Sequence, residues 1–139
     1  MDVPLALLAD SANISQEGKL NVLGAFDNIY AASFPAVHPA MVLVIGLTAS
    51  PAEFGQTRQC RISLLDADAN QLLAIEGDLE VSQPSVRAAP HSVYIPFPIP
   101  PITFPHAGDY AFHILIGDDE KATVSFRLTE RSSNRSQEA

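Results

Sequence analysis

The sequence has no Trp and a single Cys, and only 8 of its 139 residues are Lys or Arg, against 16 Asp or Glu. Each shortage excludes something. One Cys cannot close an internal disulfide and supplies no sulfur cluster for zinc, which fits a reducing compartment. A formal net charge of -8 argues against binding a phosphate backbone, because that affinity rests on Lys and Arg. With no Trp and three Tyr, a stacking platform for sugars or bases lacks its material. Long apolar runs are missing too. The best, Met41 to Leu47, is far short of the roughly 18 residues that cross a bilayer. The acidic opening Met1-Asp2-Val3-Pro4 lacks the positive start of a secretory signal. These readings describe a cytoplasmic domain with neither nucleic acid nor membrane as partner.

What is present is a period of two. Ala122, Val124, Phe126 and Leu128 alternate with Lys121, Thr123, Ser125, Arg127 and Thr129, the pattern of a strand with one buried face. Cys60, Ile62 and Leu64 repeat it, and residues 110–116 follow more loosely. Met41 to Leu47 is continuously apolar, as expected of a strand covered on both faces. No segment holds apolar residues at three-and-four spacing over three turns. Turn residues lie at Gln16-Glu17-Gly18, at 66–70 and at 117–120, between strands expected over 4–9, 19–24, 26–31, 41–48, 57–65, 72–81, 93–104, 110–116 and 122–128. This spacing predicts an all-β fold: an antiparallel β-sandwich of seven to nine strands, immunoglobulin-like or similar. One domain is expected over 1–129. Residues 130–139 carry no large apolar side chain and are expected to form a disordered tail.

Candidate chemistry is sparse. Asp66, Asp68 and Asn70 imitate the first half of a calcium loop, but Gln71 stands where the loop needs Gly and Gly77 where it needs Glu. A plain Asp/Asn turn explains them better. The run Asp118-Asp119-Glu120 reads as a charged hairpin tip. Cys60 is turned inward by its strand's alternation. His38, His91 and His106 adjoin prolines in expected loops, and His113 lies mid-strand opposite Phe112's face. There is no nucleophile elbow, and Gly18-Lys19 lacks the rest of a phosphate loop. Neither cofactor nor catalytic residue is indicated.

Two segments bear on architecture. Gly108 and Tyr110 are placed for a tyrosine corner, in which a strand-opening Tyr bonds back across a turn; the other reading is a half-buried strand aromatic. Residues 94–105 carry five prolines among large apolar side chains, so they cannot run through the middle of a sheet. Either Tyr94, Ile95, Phe97, Ile99 and Phe104 form a docking edge for a protein partner or a second copy, or the segment is a connection with buried apolar residues. The second reading is favoured.

Several segments, in their order, resemble a bacterial family of small all-β domains of unknown function: residues 6–12, residues 18–24, Phe34-Pro35 with His38-Pro39, and the Gly108-Asp109-Tyr110 hairpin. The resemblance covers residues 3 to 129 and implies a compact, intracellular β-sandwich. It supplies no reaction, ligand or site residue, and the proline density at 96–105 exceeds that family's pattern. The resulting expectation is a non-catalytic module that binds a protein partner or itself. Alternatives are a structural component of a larger assembly, such as a phage or secretion particle, and a calcium-dependent ligand binder.

Overall fold

In the computed structural model, which describes residues 1–82 and 91–131 (His91 by its backbone alone), every regular element is a strand except one 3-10 turn at Pro51–Glu53. The strands are β1 (Asp2–Ile14), β2 (Leu20–Phe26), β3 (Asn28–Ala31), β4 (Ala36–His38), β5 (Met41–Ala49) and β6 (Thr57–Asp66). After them come β7 (Gln71–Glu80), β8 (His91–Ile99), β9 (Ile102–Phe104), β10 (Gly108–Ile116) and β11 (Asp119–Glu130). A four-stranded sheet has the order β2-β1-β5-β8, and a five-stranded sheet the order β3-β11-β10-β6-β7. A short β4-β9 pair forms a third.

The alternating segments behave as written. Phe126 and Leu128 on β11, and Cys60, Ile62 and Leu64 on β6, turn inward against Tyr110, Phe112 and Ile114 of β10. Leu8, Leu43, Ile45 and Ile99 of the four-stranded sheet close the same core. The main cluster thus draws on both large sheets, as two faces with complementary alternation require.

Three expectations are corrected. The fold is not wholly antiparallel: β3 runs parallel to β11, from Arg127 beside Asn28 to Glu130 beside Ala31. The reason is that 26–31 is two strands rather than one. The chain leaves the first sheet at Phe26 and joins the second at Asn28, so consecutive residues serve different sheets. The 93–104 segment, expected with interruptions, is two strands in different sheets, because Pro100 and Pro101 end β8 before β9 begins. Finally, Glu130 closes β11, and the Arg131 guanidinium lies 4.1 Å over the Tyr30 ring, so both belong to the folded domain. The rest of the expected tail, 132–139, lies outside the described residues.

β8 lies at a sheet edge, as its prolines demand. Val44 faces Pro96 and Val42 faces Pro98, an arrangement open to proline only where the missing N–H would point away from the neighbouring strand.

Candidate functional site

Of the residues singled out by sequence, the structure brings Asp66, His106 and Tyr110 together: His106 Nε2 lies 3.6 Å from Asp66 Oδ2 and its ring stacks on Tyr110. Asp66 is buried at the end of β6. One carboxylate oxygen accepts the N–H groups of Asp68 (2.9 Å) and Asn70 (2.8 Å), and the other accepts the Asn70 amide at 3.1 Å. The Asp68 N–H and the Asn70 N–H and amide are thus donors to Asp66, the bonding of an Asp/Asn turn. Ala69, at φ 64, completes the turn in the left-handed region. The Asn70 N–H above all, then its amide, the Asp68 N–H and the nearby His106 ring, hold the Asp66 carboxyl below its usual range, against the opposing effect of burial. A carboxyl lowered on folding stabilises the fold above its ordinary value of 3.8, and that stabilisation fades as pH falls through the folded value. Asp66→Asn should accordingly be less stable than wild type at about pH 6, with the gap narrowing steadily below about pH 4. Denaturant midpoints taken at falling pH check this; a gap of constant size would refute it.

Tyr110 donates its hydroxyl to the His106 carbonyl at 2.6 Å, and its ring packs edge-on to Phe104 with centroids 4.9 Å apart. Gly108, at φ 135, opens the strand two residues earlier. This ties the β9–β10 corner to the core and leaves no free phenol. Cys60 is buried, and burial pushes its thiol up, the opposite of nucleophile activation.

Of the candidate docking residues, Ile99 and Phe104 are core and cannot touch a partner; Phe104 has no exposed surface at all. Ile95 and Phe97 face the same core, half-buried. Tyr94 is different, because it points to the other side of β8.

One row on the outer face of the five-stranded sheet has the residue types of a hydrolase triad: Ser63 pairs directly with His113, whose Nδ1 contacts Glu120. The roles fail. Ser63 Oγ accepts a hydrogen bond from Arg61 Nε at 3.3 Å, and among the described hydrogen bonds none joins it to His113. The His113 ring and then the Thr123 hydroxyl hold Glu120 below its usual range, as in a surface cluster. Ser63 also lies mid-ladder on β6, where the surrounding backbone donors are taken by β7 and β10, so no pair of N–H groups is free to form an oxyanion hole.

The clefts are shallow. One, about 570 Å³, is lined by Asp27, Asp66, Asp109, Ser125 and Arg127; there Arg127 meets Asp109 at 3.2 Å on the exposed surface and Asp66 is bonded within its turn. A second, about 390 Å³, lies where β1 to β4 meet. There the His38 ring lies tilted against Phe26 with centroids 6.0 Å apart, its Nε2 buried without a partner, near Asp10, Asn28 and Tyr30. Among the described residues no group of three or more His, Cys, Asp or Glu could hold a metal ion. Likewise, no described helix is long and apolar enough to cross a membrane.

The least expected surface is the outside of the four-stranded sheet. Direct cross-strand partners share a face. Leu5 pairs with Gly46, Leu7 with Val44, and Ala9 with Val42 and Ala25. Gly46, Val44 and Val42 pair in turn with Tyr94, Pro96 and Pro98, and Ser11 with Leu23. The opposite face of the same strands holds Leu8, Leu43, Ile45 and Ile99 of the core. From Leu5 to Pro98 the outer face therefore carries no Asp, Glu, Lys or Arg, with Asp2, beside Thr48, as an acid at its margin. The side chains of Leu5 and Tyr94 close over Gly46, where a Cβ would lie 2.9 Å from Leu5 Cβ and 3.4 Å from the Tyr94 ring. The signal for this face was in the sequence. The two-sided apolar run at Met41 to Leu47 predicts cover on both faces; Met41, Leu43 and Ile45 are buried in the core, and on the outer face Val44 and Gly46 are buried as well, with Val42 half-buried.

The architecture is thus that of an all-β domain with its main core between two large sheets. The chain belongs to the family of unknown function DUF6941, whose model matches residues 4–129. A comparison with curated proteins finds no match.

Proposed function

We propose that this chain is a non-catalytic, cytoplasmic interaction module, a two-sheet sandwich whose working surface is the outer face of β2-β1-β5-β8. The supporting observation is that face itself: half-buried Leu5, Leu7, Val42, Tyr94 and Pro96, with exposed Pro98, surround the buried Val44 and carry no charge, on a chain in which 17% of residues are charged. Contiguous apolar patches on soluble domains mark contact sites, and a sheet face of this kind packs on another layer at about 10 Å. The partner is a protein or a second copy of the chain; the same face would serve packing within a larger assembly. The tyrosine corner supports an immunoglobulin-like relationship, and the parallel β3-β11 pair is a departure from it.

The test places a charge on the face. Pro98→Asp, at an exposed position, and Leu7→Asp, at a half-buried one, should each lower the amount of bound partner recovered with the tagged protein from its host by about tenfold or more. Melting curves check that folding survives. Unchanged recovery of the same partner with both variants would remove this face from consideration.

A further inference from the structure

The two large sheets have four edges, and three of them are guarded. β8 carries Pro96 and Pro98, which lack donors. β7 carries exposed Glu76, Asp78 and Glu80. β3 is four residues long, with Arg131 stacked on its Tyr30. Prolines, charges and short length are the usual defences of a sheet edge against pairing with another chain. β2 has none of them. Its seven residues, Leu20-Asn21-Val22-Leu23-Gly24-Ala25-Phe26, include neither proline nor a charged side chain, and among the described residues they pair only with β1. Leu23, at its centre, is 72% exposed, more than any other large apolar side chain described.

The flanks of this bare stretch carry opposite charges, Lys19 before it and Asp27 after it. Lys19 at present meets Glu17 at 3.0 Å, both side chains about three-quarters exposed, a contact so wetted that Lys19 is free to change partner. In an antiparallel pair of β2 with itself, one register brings opposite charges together at both ends, the register centred on Leu23. Leu23 then faces Leu23, Val22 faces Gly24, Asn21 faces Ala25, Leu20 faces Phe26, and Lys19 of each copy faces Asp27 of the other. Gly24, at φ 70, interrupts the pairing with β1 opposite Asp10 but does not shift its register, which is the same from Leu8 beside Phe26 to Ile14 beside Leu20.

We propose that two copies of this chain associate across a two-fold axis through their β2 edges, in the Leu23-centred register, joining two four-stranded sheets into one of eight. The contact is isologous, so each residue pair occurs twice. It rests on the reading of the chain as an interaction module and adds a self-contact at the sheet edge, beside the outer face rather than on it. It also makes the uncharged outer faces of the two copies continuous, doubling the surface open to a further layer.

Light scattering on the eluting full-length chain tests this. Wild type should approach twice 14.9 kDa as its concentration rises towards about 1 mM, and Leu23→Asp, which sets two carboxylates face to face at an exposed position, should stay at 14.9 kDa with an unchanged melting curve. Lys19→Glu should raise the dimer dissociation constant about tenfold, because two symmetry-related pairs are reversed together, and the swap Lys19→Glu with Asp27→Lys should restore it. A wild type that remains at 14.9 kDa throughout overturns the dimer, while the outer-face reading stands or falls on its own charge variants. A dimer that survives Leu23→Asp but is lost in Leu7→Asp moves the contact to the sheet face and overturns the edge. A charge swap that fails to restore association overturns the register.

Discussion

Phe104→Ala should destabilise the fold by about 3–5 kcal/mol, the usual cost of removing a fully buried Phe. Against a total stability of roughly 5–15 kcal/mol, that is a large share. Phe104 is the hinge of the aromatic cluster: its ring meets Tyr110 at 4.9 Å and Phe126 at 5.9 Å, both nearly edge-on. Loss of the ring therefore removes two aromatic contacts as well as buried area, and the surrounding strands cannot collapse to fill the space. Phe104→Leu, which keeps most of the volume, should lose much less. Chemical denaturation of the three proteins measures it. The result also settles the part this residue plays: a Phe104→Ala protein as stable as wild type would return the side chain to the surface, where it could bind a partner.

The second large effect is expected at Gly46. Gly46→Val should lower stability by about 1–2 kcal/mol, the outcome of two opposed effects. A valine in a strand interior gains about 0.5–1 kcal/mol over glycine in backbone and strand preference. Overpacking costs typically about 1–3 kcal/mol. Here the steric cost is at the upper end, because the added Cβ meets Leu5 Cβ at 2.9 Å, an atom fixed to the backbone of β1 rather than the tip of a flexible chain. Leu5→Ala combined with Gly46→Val should recover most of the loss, since the smaller side chain vacates that space. Additive costs in the double variant would show that Leu5 is not what the new side chain strikes.

Much of the fold was legible along the chain. The alternation at 121–129 and 59–64 reports which side chains face the core, because in a strand the period of two is imposed by the backbone itself. The 110–116 strand was legible for the same reason, the 41–48 strand from its continuous apolar run, and the prolines at 96 and 98 excluded the middle of a sheet. Three things were hidden. Asp27 is where the chain changes sheets, and nothing local to Phe26–Asn28 marks it. The parallel partner of β3 is β11, about a hundred residues away, joined through contacts such as Thr129 Oγ1 to Asn28 Oδ1 at 2.9 Å. The short β4-β9 pair was split between an expected loop and an expected long strand.

For the site, the order is reversed. The docking set chosen from residues 94–104 mixed the two sides of one strand: Ile95, Phe97 and Ile99 face inward, while Tyr94, Pro96 and Pro98 face out. Hydrophobicity alone cannot separate these sides when both are apolar. The pairing of Leu5, Leu7 and Ala9 with Gly46, Val44 and Val42 could not be read before the register was known.

The sequence by itself determined that this chain is built of strands, which side chains of the alternating ones turn inward, and that no familiar catalytic or metal motif is written along it. These are local properties, set by backbone geometry and residue type over a few positions. Only the tertiary structure decided which strands neighbour one another, which edge is left bare, and which residues of the doubly apolar β5 face the core and which the outer side of the sheet. Those depend on pairings between distant segments, whose register is fixed by the burial of whole faces at once rather than by any short stretch of chain.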